Sequence, residues 1–293
     1  MRHVSARAII LKKRNVGEHD QFVTIFCPVL GTVDAVAKGS RKVASSFIGH
    51  LELFNICRLE LYRTPHRFTI TQCQAEQTFK PIRDDLTRSI NAFLVTEIFQ
   101  KIVHSSEQGE ELLSLLEFTL AGLASTDKPL FLIENFKIKL LQLCGSLPEV
   151  SRCSQCHRKW KTNEEIFIIG EAHMLCGDCR PEGNQATMSF NLMKLVHHLA
   201  NEPFETSKKL RLTEDEFGLL HTLTNSFLSH SLTAEINTEK MRSQLIRKAA
   251  GAQTITGRSP PFSLPEYFGS GEAVPEFRRT RHYRSARLRA PDG

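Results

Sequence analysis

The chain has 293 residues, 41% of them hydrophobic and 24% charged, a composition of ordinary soluble globular proteins with room for about two domains. Its net charge is +6, and the first 80 residues alone hold twelve Lys/Arg against six Asp/Glu, so the remainder is neutral. A basic N-terminal third points to an anionic partner. No run approaches the ~20 consecutive apolar residues of a membrane-spanning helix, and Ser5, Arg7 and Lys12 interrupt the N-terminus too soon for a signal peptide. A cytoplasmic protein without membrane contact is expected.

From Val4 to about Phe79 the pattern is that of β-structure. Val4–Leu11 reads as a first strand ending at the basic triplet Lys12-Lys13-Arg14, followed by a turn around Gly17. Phe22–Phe26 is a second strand, closed by Pro28 and Gly31, and Thr32–Ala37 a third. The chain then breaks at Lys38-Gly39-Ser40-Arg41-Lys42, where three cations surround a glycine and a serine. Freed backbone amides, a hydroxyl and three cations suit phosphate oxygens; a solvated loop with ordinary surface charge is the alternative. Leu51–Tyr62 alternates with period two and reads as a fourth strand, and Phe68–Thr71 begins a fifth. Five strands in this length predict an OB-type barrel over residues 1–80, an SH3-like barrel being the other topology of that size.

After Pro81 the apolar spacing becomes helical. Three amphipathic helices are predicted over Ile90–Ile102, Leu112–Leu123 and Phe131–Leu141, with further helical stretches at Leu192–Leu199 and Phe217–Leu228 and a weaker basic helix at Met241–Ala250. Their stripes read as core. The expected architecture is α+β and multidomain: the barrel, then a helical bundle over residues 81–250 with an insertion at 151–184. A tail at 251–293, rich in Pro and Gly and then in Arg, reads as disordered and basic.

The insertion holds Cys153-Ser-Gln-Cys156 and Cys176-Gly-Asp-Cys179, two CxxC knuckles at zinc-ribbon spacing. Two thiolates from one tight turn reach one metal, and two such turns complete a tetrahedral set, closed and therefore structural. Glu165–Ala172 reads as a hairpin joining the knuckles. His157 and His173 lie beside the ligands and could substitute, and two independent redox CxxC motifs are the alternative. Cys27, Cys57, Cys73 and Cys144 lack partner spacing and read as core residues.

No nucleotide-binding loop, nucleophile elbow or zinc-protease motif is present. Glu18, His19 and Asp20 read as a turn, not a catalytic dyad, and His197-His198 as a helix surface pair. The sequence points to binding, not catalysis.

Gly17-Glu18-His19-Asp20, then Gly31, then Ala37 to Lys42, then Ser46 to Phe54, in this order and spacing, resemble the bacterial RecO DNA repair family. Gly145-Ser-Leu-Pro148 leading into the first knuckle extends the resemblance more loosely to about residue 250. It implies a recombination mediator that is not an enzyme. Such a protein binds single- and double-stranded DNA and anneals complementary strands. It works with RecR to load RecA onto DNA coated by single-stranded-DNA-binding protein, at the bacterial nucleoid. Carried over as DNA contacts are Lys38, Arg41 and Lys42; charge alone adds Lys12 and Arg14. The competing readings are a protein-interaction adaptor working through its helices and a zinc-ribbon transcription or translation factor.

Overall fold

A computed structural model describes residues 3–65, 67–104, 107–162, 164–169, 173–180, 186–232 and 236–238. The basic helix expected at Met241–Ala250 and the tail after Gly251 lie outside these residues, as does the tip of the hairpin expected over Glu165–Ala172.

Five strands close a barrel: β1 (His3–Val16), β2 (Asp20–Cys27), β3 (Gly31–Ala37), β4 (Ile56–Arg63) and β5 (Phe68–Gln77). The order is β1-β2-β3-β5-β4, with β4 returning to β1 and β3 running parallel to β5. This is a Greek-key OB-type barrel. Period-two alternation fills it: Ala6, Ala8 and Ile10 of β1 meet Val23, Ile25 and Cys27 of β2 in the interior.

Two strand limits differ from expectation. β1 does not stop at the basic triplet but continues through it to Val16. Its register shifts between Ile10 and Lys12, so Ile10 and Leu11 are both buried, while Lys12 and Arg14 stand opposite Thr24 and Phe22 on the outer face. A bulge turns the strand there, and the exposed side of a hairpin accepts charge. β4 begins at Ile56 and not at Leu51. Lys38–Asn55 is instead a succession of turns, with the N–H of Lys42 donating to Gly39 O (3.1 Å), Ser45 to Lys42 O (2.9 Å) and Leu51 to Phe47 O (3.0 Å). Phe47 and Leu51, one helical turn apart, both plug the barrel. Phe54 adopts a left-handed φ of 68°, rare for a bulky residue, and sends its buried ring against Phe93 at 5.1 Å.

The helices are α1 (Lys80–Asp84), α2 (Leu86–Ile102), α3 (Gly109–Ser125), α4 (Pro129–Leu143), α5 (Phe190–Asn201), α6 (Phe204–Ser207) and α7 (Glu214–Ser231). Their starts follow local chemistry. Asp85 caps α2 by accepting from the Arg88 N–H (2.7 Å), Pro129 opens α4, and Thr213 with Glu216 forms a capping box on α7.

Barrel and helices share one core. Ile9, Leu11 and Phe26, on the outside of the barrel, pack among helical residues, and the Phe26 ring meets Phe99 edge-on at 4.8 Å. Arg7 of β1 adds a bidentate pair to Glu117 of α3 (2.8 Å each) and donates to Glu76 of β5 (2.8 Å). Gly109, first in α3, abuts the β2–β3 turn so closely that a Cβ there would lie 2.4 Å from Pro28 O. Only glycine permits that approach.

The insertion is a small sheet of order β7-β6-β8, made of β6 (Glu165–Ile169), β7 (His173–Leu175) and β8 (Ala186–Ser189). The sequence had not suggested β8, which runs directly into α5 through the cap Ser189, whose Oγ accepts from the Leu192 N–H (3.2 Å). Ile166, Met174 and Met188 seat this sheet on the helical core.

One polar cluster lies inside the bundle. Glu134 and Lys137 of α4 are each 2% exposed and paired at 2.9 Å. His221 Nδ1 lies 2.8 Å from Glu134, and Asn225 Oδ1 accepts from Lys137 Nζ (2.9 Å) while its Nδ2 lies 3.0 Å from His221 Nε2. The Thr224 hydroxyl also donates to Glu134. A His221 tautomer protonated on Nδ1 makes both of its ring contacts hydrogen bonds, donating to Glu134 and accepting from Asn225.

Candidate nucleic-acid interface and metal centre

The outer face of β1, β2 and β3 divides into two ends. At one end the helices cover Ile9, Leu11 and Phe26. At the other end, by the β1–β2 turn, Lys12, Arg14, Lys38 and Lys42 are exposed, and none has a carboxylate within ion-pair distance among the described residues. The other cations of the barrel are spent differently. Arg7 and Arg58 both bind Glu76, and Lys13 binds Glu52 at 2.9 Å. Lys12, Arg14, Lys38 and Lys42 thus gather unneutralised charge at the end the helices leave open.

The cationic loop is fixed there by contacts to the β1–β2 turn. Asp20 Oδ1 accepts from the Gly39 N–H (2.7 Å), the Arg41 N–H donates to His19 O (2.9 Å), and Ser40 Oγ donates to Gln21 Oε1 (3.1 Å). The Arg41 guanidinium donates to the carbonyls of Glu18 (3.0 Å) and Gly17 (3.3 Å). Gly17 and Gly39 have φ of 59° and 65°, which glycine adopts without penalty. Two of the sequence motifs thus form one latch. Asp20 and the carbonyls of Gly17 and Glu18 hold the loop, and the Arg41 charge is left unneutralised because carbonyls, not carboxylates, accept from it. Glu18 and His19 lie in the turn the sequence suggests, and Asp20 opens β2.

Three further exposed or partly exposed residues of the barrel carry no signal in the sequence. Arg63 and Arg67 bracket the β4–β5 turn, both exposed. Phe22 is only partly buried, and the Arg14 guanidinium lies 4.4 Å from its ring centroid. Pairing register, invisible in one sequence, is what places Phe22 beside Arg14.

The four knuckle cysteines come together, all Sγ atoms lying within 4.8 Å of one another. Cys156 and Cys176 stand 3.8 Å apart, matching the edge of about 3.8 Å expected for four sulfurs each about 2.3 Å from one ion. The knuckles are shaped by backbone bonds: the Cys153 N–H donates to Arg158 O, the His157 N–H to Cys153 O (each 2.9 Å), and the Cys179 N–H to Cys176 O (3.1 Å). His157 takes a left-handed φ of 57° to close the first turn. Burial pushes the Cys153 thiol up, but the backbone N–H groups of Cys156, Cys176 and Gln155 outweigh it and hold it at about 6. Cys179 is pushed up to about 12, by burial first and then by the neighbouring sulfurs. Sulfurs this close ionise together only around a cation, so the set fits a tetrahedral metal ion. Arg158 braces it, binding Glu164 through both nitrogens (2.7 and 3.0 Å) and reaching Asp178. That contact holds the Glu164 carboxyl down at about 2.

The remaining cysteines, Cys27, Cys57, Cys73 and Cys144, are free and sit in barrel or helix cores. His197 is exposed, but His198 departs from the expected surface pair: its Nε2 is buried without a partner among the described residues, beside a groove of about 400 Å³ lined by Trp160 and Met193. Among the described residues, no helix is long and apolar enough to cross a membrane.

Comparison with known proteins agrees with this architecture. The family profile described as Recombination protein O N terminal matches residues 1–79, and that described as Recombination protein O C terminal matches residues 83–239. A DNA repair protein RecO of Dehalococcoides mccartyi is 30% identical over 71% of this chain and 83% of its own length. Those of Moorella thermoacetica (28% identical, 86% of this chain and 93% of its own) and Acetivibrio thermocellus (31%, 74% and 88%) are similar. With the N-terminal profile over the barrel and the C-terminal profile over the helices and the four-cysteine insertion, the chain belongs to the RecO family of DNA repair proteins.

Proposed function

We propose that this chain is a recombination mediator that captures single- and double-stranded DNA on the open end of its barrel and anneals complementary strands. Lys38, Arg41 and Lys42 are the contacts to phosphate, supported by Lys12 and Arg14. The observation that carries this reading is the concentration of unpaired cations on a latched, rigid loop, where fixed positive charge lowers the repulsion between two approaching backbones. Arg41 both positions the loop and contributes charge. No nucleotide and no covalent step enter. With RecR as partner, the protein would deliver RecA to DNA covered by single-stranded-DNA-binding protein, in the bacterial cytoplasm at the nucleoid.

A salt titration tests the DNA contact. Affinity for a labelled oligonucleotide is expected to fall steeply between low and moderate salt, with a log–log slope of about −3 to −4 for four or five phosphate contacts. A flat response would count against the cationic loop as the contact. An adaptor acting through its helices would show weak affinity even at low salt, so the same titration separates the two readings.

The four cysteines would hold zinc, the ion suited to a closed tetrahedral thiolate set, and it would act structurally. One zinc per chain is expected on metal analysis, and Cys176→Ser should lower that content. Chelation should raise protease sensitivity between Val150 and Ser189 while the barrel, whose interior cluster is separate from that of the knuckles, stays resistant. Uniform loss of structure, or full zinc content in Cys176→Ser, would contradict the assignment.

A further inference from the structure

We infer that Phe22, backed by Arg14, is a base-stacking platform that gives the open face a preference for single-stranded over duplex DNA. The inference rests on the DNA-binding reading above and adds to it a contact that charge alone does not supply.

Phe22 and Phe26 lie four residues apart on β2, on the same outer face of the barrel. The fold uses them differently. Phe26 is fully buried and meets Phe99 at 4.8 Å, whereas Phe22 stays partly exposed beyond the edge of the helices. Its cross-strand neighbours are Arg14 on β1 and Val36 on β3, and β3 ends at Ala37, just before the exposed Lys38. The ring therefore has an exposed cation against one side and the end of the cationic loop's parent strand on the other. Arg14 lies 4.4 Å from the ring centroid, a distance that orders both groups. The acids nearest in register are both engaged: Asp20, two positions earlier on β2, accepts from the Gly39 N–H (2.7 Å), and Asp34 accepts from the Thr24 hydroxyl (2.6 Å). A partly exposed aromatic ring beside a cation of the phosphate-binding face suits a nucleobase face. Single strands can offer such a face, but a duplex keeps its bases stacked on one another. Stacking is also insensitive to salt, which separates it from the capture of phosphates.

The test measures binding of oligo(dT) and of a duplex of equal length by fluorescence anisotropy at two salt concentrations, for the full-length parent and for Phe22→Ala, Phe22→Leu and Phe22→Trp. Loss of oligo(dT) affinity by about tenfold is expected in the Ala and Leu variants, with an unchanged salt slope and duplex affinity within about twofold of the parent. Phe22→Trp should retain affinity, and oligo(dT) should quench its added fluorescence. The Leu and Trp pair decides the matter should Phe22→Ala not fold, since both fill the site. Equal loss on both DNAs, or parental oligo(dT) affinity in Phe22→Leu, would overturn the platform while leaving the cationic contact standing. A parent that binds neither DNA at low salt would overturn the DNA-binding reading and the platform with it.

Discussion

Replacing Lys12, Lys38 and Lys42 together with alanine is expected to lower DNA affinity roughly a hundredfold at about 0.15 M salt and to flatten the log–log salt slope by about 2.5. The three ammonium groups are exposed and lack carboxylate partners among the described residues, so each is available to a phosphate oxygen. For the same reason their removal should leave thermal stability nearly unchanged, since solvated surface substitutions typically matter by less than about 0.5 kcal/mol. Arg14 is retained, which keeps the Phe22 contact out of the comparison. Arg41→Ala should behave differently from these lysines, because it also removes the bonds to the Gly17 and Glu18 carbonyls. Arg41→Lys would restore charge but not the forked donor, and so should rescue only part of the loss. Parental affinity and slope in the triple variant would remove the loop from the interface.

Glu134→Ala should destabilise the helical bundle by about 3–5 kcal/mol, the usual cost of breaking a buried ion pair from one side. Glu134 and Lys137 are each 2% exposed, and the carboxylate also accepts from Thr224 and meets His221. Removing it leaves an ammonium in the core with Asn225 as its remaining partner. Replacing both by apolar residues of similar size, Glu134→Leu with Lys137→Met, should recover most of that loss, because no buried charge is then stranded. The pair also carries a pH signature. Burial pushes the Glu134 carboxyl up, but the Lys137 charge and the contacts to His221 and Thr224 prevail and hold it at about 2, below its ordinary 4.5. Its contribution is therefore complete above pH 4.5 and is lost as pH falls towards 2. Urea unfolding at pH 7 and pH 3 should show a larger fall in the parent than in the apolar double variant. Equal falls would mean that other carboxylates govern acid unfolding.

Much of this architecture is legible in the sequence, and what is not has physical reasons. Strands filled by residues such as Val23 and Ile25, and helices such as α3, bury one regular face, so their period shows. The knuckles show because a metal site fixes ligand type and spacing together. The triplet Lys12-Lys13-Arg14 misleads because charge ordinarily marks a strand end, whereas here a bulge sends Lys12 and Arg14 outward and Lys13 to Glu52. Leu51 and Leu53 imitate a strand, yet Phe47 and Leu51 are tied by a helix-like turn whose apolar side chains stop the barrel. β8 is too short to declare a period. The latch of Arg41 and Asp20, the Arg7–Glu117 bridge and the Glu134 cluster join residues far apart in the chain. Only the folded register brings their partners into reach. The loop itself can be read in one sequence; what holds it in place cannot.

The central claim is that fixed cations on this barrel bring two DNA backbones together without nucleotide. Its most direct test is annealing of two complementary labelled oligonucleotides by the metal-loaded, full-length protein, without ATP, at two salt concentrations. The parent is expected to accelerate annealing at low salt and to lose that acceleration as salt rises, with the Lys12, Lys38 and Lys42 triple variant slow at both. No acceleration by a folded parent, or equal acceleration by the triple variant, would contradict the claim and move attention to the helices.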